Sequence, residues 1–159
     1  MVGNGLDSGA PRAGALLRAS ALIPKTPLFP ALSVAFAVVP SNSLGVSARW
    51  ITLGAGLGVR AGLVQRTIAL EARIEAIADS VGGSATDASG ASDSGGRRQP
   101  GARAGIGATW MFVPRVGLSA GVNGDLVRSG TVVRIHNQPS SRAAPGHIQG
   151  LLGVRIGWL

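Results

Sequence analysis

The feature that most constrains this chain is a period of two. Over 32–38, Leu32, Val34, Phe36 and Val38 alternate with Ser33, Ala35 and Ala37. Over 51–60, Ile51, Leu53, Ala55, Leu57 and Val59 alternate with Thr52, Gly54, Gly56, Gly58 and Arg60. The same alternation runs through 15–23, 67–79, 103–112, 116–126 and 149–158. Successive side chains of a β-strand point to opposite faces, so each stretch reads as a strand with one apolar face. In all seven stretches that face carries no charge, and every Arg, Asp and Glu falls on the other. In lipid, an Arg on the outer face of a barrel costs about 2–4 kcal/mol at mid-depth, which is a physical reason for such a partition.

Composition agrees with strands and excludes several function classes. Twenty-five glycines in 159 residues do not suit a helical bundle, because glycine is entropically costly inside a helix. With no cysteine there is no disulfide, no thiolate nucleophile and no Cys-ligated metal. The net charge of +8, with Arg as 14 of the 15 basic residues, raises the question of nucleic acid. The arginines are scattered, however, and aromatics make up only 4%, so stacking platforms and basic runs are missing and no nucleic-acid partner is expected. No apolar run reaches the roughly 20 residues of a membrane-spanning helix; the longest, "ALSVAFAVV" (31–39), is strand-length. Asp7 stands where a secretory leader carries basic residues and Arg18 interrupts any apolar core. Either the chain stays in the cytoplasm or its leader lies upstream of Met1.

The stretch "ITLGAGLGVRAG" (51–62) has a competing reading as a phosphate-cradling loop. Glu75 even lies about 20 positions on, where a dinucleotide fold places its ribose-binding acid. The spacing is G-x-G-x-G, with Val59 in place of the last glycine, and a polar loop follows residue 79 where a second parallel strand should begin. The strand reading is therefore preferred. A four-residue loop at 62–65 would set Ala61 opposite Arg66, Gly56 opposite Glu71, Gly54 opposite Arg73 and Thr52 opposite Glu75. Small residues would then give long charged ones the volume they need in a narrow interior. Across "VPR" (113–115) the same counting pairs Phe112 with Val116, Trp110 with Leu118 and Arg103 with Asp125. The predicted interior holds Arg60, Glu71, Arg73, Glu75, Asp125 and Arg155, with Arg103 near its rim. Buried charges must be paired or solvated, so this mixture predicts a plugged lumen.

Residues 67–81 also fit a helical stripe through Leu70, Ile74, Ile77 and Val81. Their neighbours favour strand, because a helix there would leave a sheet edge open. Segments 80–101, low-complexity and expected to be disordered, and 129–146 are long and polar, whereas 62–66 and 113–115 are tight. Catalytic candidates are thin. His136 and His147 have no carboxylate at ligand spacing and read as exposed loop histidines beside Ser140 and Ser141. Glu71 and Glu75 could form an acid pair, but Arg73 between them makes structural ion pairing the better reading. No catalytic residue, metal or cofactor is expected.

The hairpins from about Leu44 to Leu159, with "LGAGLGVRAG", "ALEARIEAIAD", "GARAGIGATWMFVPRVGLSAGVNGD" and the ending "LLGVRIGWL", resemble the C-terminal part of small outer-membrane β-barrels of Gram-negative bacteria. The resemblance implies an all-β, antiparallel up-and-down barrel of about seven to eight strands over 13–159, after a flexible segment 1–12. It also implies an outer-membrane location and an envelope or binding role without catalysis. The implied partners are membrane lipid, lipopolysaccharide and the barrel-assembly machinery. Phe36, Trp50, Trp110, Phe112 and Trp158 would be the interface aromatics, although the last residue is Leu159 where such barrels end in an aromatic. Two alternatives remain: a soluble small barrel or sandwich binding an apolar ligand, and a lipid-modifying hydrolase embedded in a barrel. Alternation alone does not say which face is inside. Seven strands is an odd number, and single-chain bacterial barrels have an even one. With the last strand ending in the periplasm, strand 13–23 would begin outside the cell. The expectation is therefore a truncated barrel, or a vestigial eighth strand within 1–12.

Overall fold

The computed structural model describes residues 1–4, 11–39, 46–63, 67–86, 92–128, 131–135, 138–143 and 145–157. All regular structure among them is strand: β1 (Val2–Asn4), β2 (Pro11–Ser20), β3 (Leu28–Val39), β4 (Val46–Leu63), β5 (Ile68–Thr86), β6 (Ser92–Val113), β7 (Val116–Val127), β8 (Thr131–Ile135), β9 (Gln138–Ala143) and β10 (Gly146–Ile156). Eight of them close an antiparallel barrel in the order β1-β10-β7-β6-β5-β4-β3-β2, while β8 and β9 pair with each other. Neighbours in sequence are neighbours in space, as in an up-and-down barrel. Residues 67–79 are strand, not helix: β5 is bonded along its length to β4 and β6, and that pairing outweighs the local helical preference.

The eighth strand is Val2–Asn4, within the segment expected to be flexible. Val2 pairs with Gly150 of β10 and with Ala13 of β2, so the first and last long strands meet through β1 and not directly. The N-terminal ammonium donates to the Gly14 carbonyl at 2.9 Å, and the Gly14 amide returns a bond to the Met1 carbonyl at 3.1 Å. β2 is Pro11–Ser20 where 13–23 was expected. After it comes a turn in which the Thr26 amide bonds to the Ile23 carbonyl at 3.2 Å, with Lys25 at φ 64°.

Which face is inside is plain along β3, where Ala31, Ser33, Ala35, Ala37 and Val39 are buried and Leu32, Val34, Phe36 and Val38 point out. Along β5 the buried positions are Glu71, Arg73, Glu75, Ile77 and Asp79, and the exposed ones Leu70, Ala72, Ile74, Ala76 and Ala78. The apolar alternation faces outward on the long strands, and the charges face the lumen.

Three expectations need correction. The β4–β5 register is set by Leu63 opposite Ile68, which puts Arg60 opposite Glu71, Gly58 opposite Arg73, Gly56 opposite Glu75 and Thr52 opposite Asp79. The connection still counts four residues, 64–67 in place of 62–65, so the hairpin reverses two residues later than a loop closed by Ala61 and Arg66. At the "VPR" turn Val113, not Phe112, pairs with Val116, and the register slips at a bulge between Met111 and Val113; Trp110–Leu118 and Arg103–Asp125 are opposite as counted. Residues 80–86 and 92–101 are paired strand where low complexity predicted disorder, with 87–91 outside the described residues. Backbone ladders need no apolar side chain, so serine and glycine continue the hairpin beyond the wall. The segment 129–146 likewise contains the β8–β9 pair.

Candidate functional site in the barrel lumen

Even-numbered positions of β4 and odd-numbered positions of β5 to β7 and β10 share the inner face, so parity gathers the charged side chains into one column. The structure places Arg60, Glu71, Arg73, Glu75, Arg103 and Asp125 buried in the lumen and Arg155 half-buried there. Arg103, expected near the rim, is 1% exposed and is the largest fully buried side chain among the described residues.

The lumen is cross-linked in three tiers. Nearest the long hairpins, Arg103 grips Asp125 with Nε donating to Oδ1 at 2.7 Å and Nη2 to Oδ2 at 2.6 Å. Gln149 Nε2 donates to the same Oδ2 at 3.0 Å. His147 Nε2 lies 3.2 Å from Asp125 Oδ2 and 2.8 Å from Arg12 Nη1. One ring nitrogen cannot accept from Arg12 and donate to Asp125 together, so these contacts exclude each other. In the middle tier Ser33 Oγ donates to Glu75 Oε2 at 2.6 Å. Three arginines surround this carboxylate: Arg73 at 3.4 Å, Arg103 at 3.6 Å and Arg18 at 3.7 Å. Arg73 also donates to Asn123. At the turn end Glu71 takes Arg60 Nε at 2.8 Å and Arg155 Nη1. Back toward the long hairpins, eight residues along the β4–β5 ladder from Arg60, Thr52 Oγ1 donates to Asp79 Oδ1 at 2.5 Å.

Small residues make room for this network. A Cβ on Gly54 would lie 2.5 Å from Ser33 Oγ and 2.7 Å from Glu75 Oε2. On Gly58 it would enter the Phe29 ring, and on Gly105 it would meet Asn123 and Arg73. Two arginines also stack on inward aromatics at 4.9 Å, Arg12 on Trp50 and Arg60 on Phe29.

Sequence reasoning missed Arg12, Arg18, Asp79 and His147. Parity was the available signal: Asp79 shares it with Glu71, Arg73 and Glu75, Arg18 lies on the non-apolar face of its strand, and His147 shares it with Arg155. The reading of His147 as an exposed loop residue is corrected, since its side chain is 9% exposed on β10. His136 lies outside the described residues. Trp50 is corrected too: it is 4% exposed inside the barrel, because it has the parity of Thr52 and Arg60. Phe36, Trp110 and Phe112 point outward at 48%, 53% and 51%, with Trp110 edge-on to Phe112 at 6.2 Å, and Trp158 lies outside the described residues.

Among the described residues no group of three His, Cys, Asp or Glu side chains could hold a metal, and no helix is long and apolar enough to cross a membrane. In the lumen, guanidinium groups neutralise the carboxylates and the long side chains fill the space between the walls. No protein-family model, no curated protein and no solved structure matches this chain, so the barrel itself is what classifies it: an all-β, closed, antiparallel up-and-down barrel.

Proposed function

We propose that this barrel is embedded in the outer membrane of a Gram-negative cell, with a plugged, charge-filled lumen and an envelope or binding role without catalysis. The observation that carries the reading is the direction of the apolar face. Ile74 is 69% exposed, Ile106 66%, Leu126 64% and Leu53 53%, while Arg103 and Glu75 are at 1% and 3%. A soluble barrel binding an apolar ligand turns those groups the other way, with apolar side chains inside and charges in water.

The dimensions support the same reading. On β4 the outward residues from Ile51 to Ala61 carry no charge. At a strand rise of about 3.3 Å and a tilt of about 40°, they span about 25 Å, the height of the apolar band of outer-membrane barrels. Arg49, Arg98 and Arg128 are exposed at the long-hairpin end of this band, and Lys25 and Arg115 at the turn end. Basic residues there suit lipid headgroups, and lipopolysaccharide phosphates are the partner expected at the long-hairpin end. Insertion would run through the barrel-assembly machinery. The ion-paired lumen supports a plug, not an open pore.

Expression without detergent tests the proposal. A soluble, monodisperse monomer would reject it. Folding in detergent to a form whose gel mobility changes on heating is the expected result.

A further inference from the structure

At the long-hairpin end, charge returns to the outer face of β4 and β6 on neighbouring levels. The outward residues of β4 from Ile51 to Ala61 and of β6 from Pro100 to Phe112 are uncharged, and the next ones out are Arg49 and Arg98, both exposed. β5 runs between them: Arg49 is opposite Gly82, Gly82 is opposite Gly96, and Arg98 is opposite Ser80. Arg98 is therefore a diagonal neighbour of Gly82, about 7–8 Å from it and within reach of a long side chain. A Cβ on Gly82 would lie 3.3 Å from Arg49 Nε and 3.6 Å from Arg49 Cγ, so the Arg49 side chain lies over β5, toward Arg98. A Cβ on Gly96 would meet backbone alone, 3.3 Å from the Val81 carbonyl oxygen, so no side chain covers that glycine.

Two glycines side by side on adjacent strands thus leave a dent in the outer surface, with a guanidinium on either side of it. The dent belongs to a cavity of about 1270 Å³ whose lining includes Arg49, Arg98, Gly82, Gly96, Val38 and Ile51. Arg97 has the opposite parity, across from Val81, and is not part of the pair. Among the described residues neither Arg49 nor Arg98 is paired with an acid. The other outward residues beyond Ile51 on these strands are Ser47, Ser80, Ser84 and Ser94, so the face has hydroxyls and two cations but no carboxylate. On the side of the charge-free band the dent runs into apolar surface. Val38 is opposite Arg49, Phe36 is opposite Ile51, and all three apolar side chains are exposed.

We propose that this dent binds one phosphomonoester group of an anionic lipid, clamped between Arg49 and Arg98, with an acyl chain lying on Val38, Ile51 and Phe36. The proposal rests on the membrane reading and narrows its partner from headgroup phosphates in general to one ester class at one site. A phosphomonoester carries about −1.5 to −2 charges at pH 7 and three acceptor oxygens, whereas a diester keeps a single charge and two free oxygens. Three oxygens serve two guanidinium forks that share one of them; two oxygens fill a single fork. Gly82 and Gly96 let the phosphate come down to the sheet between the two side chains, which a Cβ on either strand would oppose. The apolar residues on one side of the dent only set the lipid's direction, headgroup toward the long hairpins and chain along the barrel wall.

The full folded chain in a non-ionic detergent is titrated with phosphatidic acid, a monoester, and with phosphatidylglycerol, a diester, of the same acyl chains. Native mass spectrometry counts the bound lipid. The expected result is a single phosphatidic acid per chain, held ~tenfold more tightly than phosphatidylglycerol. In Arg49→Gln/Arg98→Gln the two lipids should bind alike. Gly82→Val keeps both charges but fills the floor, and should also lose the preference. Inorganic phosphate in excess should leave the lipid in place. Equal affinities for the two lipids in the unaltered chain would overturn the proposal, as would a preference that survives loss of both arginines. Displacement by inorganic phosphate would assign the site to the free anion and overturn the lipid. If the double variant does not fold, Gly82→Val and the lipid series on the unaltered chain decide. A chain that folds in detergent with heat-modifiable mobility yet shows no preference rejects this site and leaves the membrane reading standing. A monodisperse chain without detergent rejects both.

Discussion

At the scale of the residue, the lumen is governed by two rules: a buried charge needs a partner, and a long side chain needs an empty place opposite. Arg103 and Asp125 illustrate the first, since both oxygens of one carboxylate are held by one guanidinium in a site closed to water. Asp125→Arg should cost about 3–5 kcal/mol, because it leaves several arginines facing each other without the central acid. Adding Arg103→Asp should return about 1–3 kcal/mol as coupling. Recovery will be partial, since Gln149 and His147 also contact Asp125. Denaturant unfolding in detergent measures both, and no recovery would contradict the pairing. Gly58 illustrates the second rule, because its missing side chain is the space occupied by Phe29, on which Arg60 stacks. Gly58→Leu should destabilise by about 1–3 kcal/mol through overpacking, and Phe29→Ala in the same chain should relieve part of that loss.

At the scale of the element, the instructive strand is β5. Its stripe of Leu70, Ile74, Ile77 and Val81 satisfies a helix as well as its alternation satisfies a strand. Between β4 and β6 it has ladder partners on both sides, which a helix would forfeit. An excised peptide of residues 67–81 should therefore turn helical by circular dichroism in a helix-promoting solvent, while the folded chain shows strand. A peptide that stays extended there would show that no local preference was overridden. The β5–β6 hairpin beyond the wall is a different case, because Ser84 and Ser94 to Arg98 are exposed and bury little. Gly83 is opposite Gly95, so replacing 84–94 by an Asn-Gly turn should leave barrel stability unchanged within about 0.5 kcal/mol. A larger loss by denaturant unfolding would mean that the extension supports the barrel.

At the scale of the whole molecule, the outward apolar face is the property that sets the environment. Ile106 lies near the middle of that face, opposite Ala72 on one side and Val122 on the other. If lipid surrounds it, Ile106→Arg should lower stability in phospholipid vesicles by about 2–4 kcal/mol. A loss under about 0.5 kcal/mol, ordinary for a water-exposed position, would count against the membrane reading. Closure is the other molecular property. It depends on β1 and on contacts that reach across it, among them Arg12 Nη1 to His147 Nε2 at 2.8 Å.

The alternation of Leu32–Val38 and Ile51–Val59, the charge-free face of each alternating stretch and the opposition of Arg103 to Asp125 all follow from the sequence. Each depends on short separations: strand parity reverses with every residue, and the "VPR" turn is tight enough to carry the count across. The β4–β5 register did not follow, because it depends on where along the chain the four-residue connection sits, and its shift by two residues moves every pair along the hairpin. Three-residue β1 has no periodicity to detect, and its partners lie about 10 and 150 residues away in sequence. Most of all, alternation is unchanged when a sheet curls the other way. Ile74 and Glu75 occupy opposite faces in either curl, and only the ring drawn together by β1, β2 and β10 put the glutamate inside and the isoleucine out.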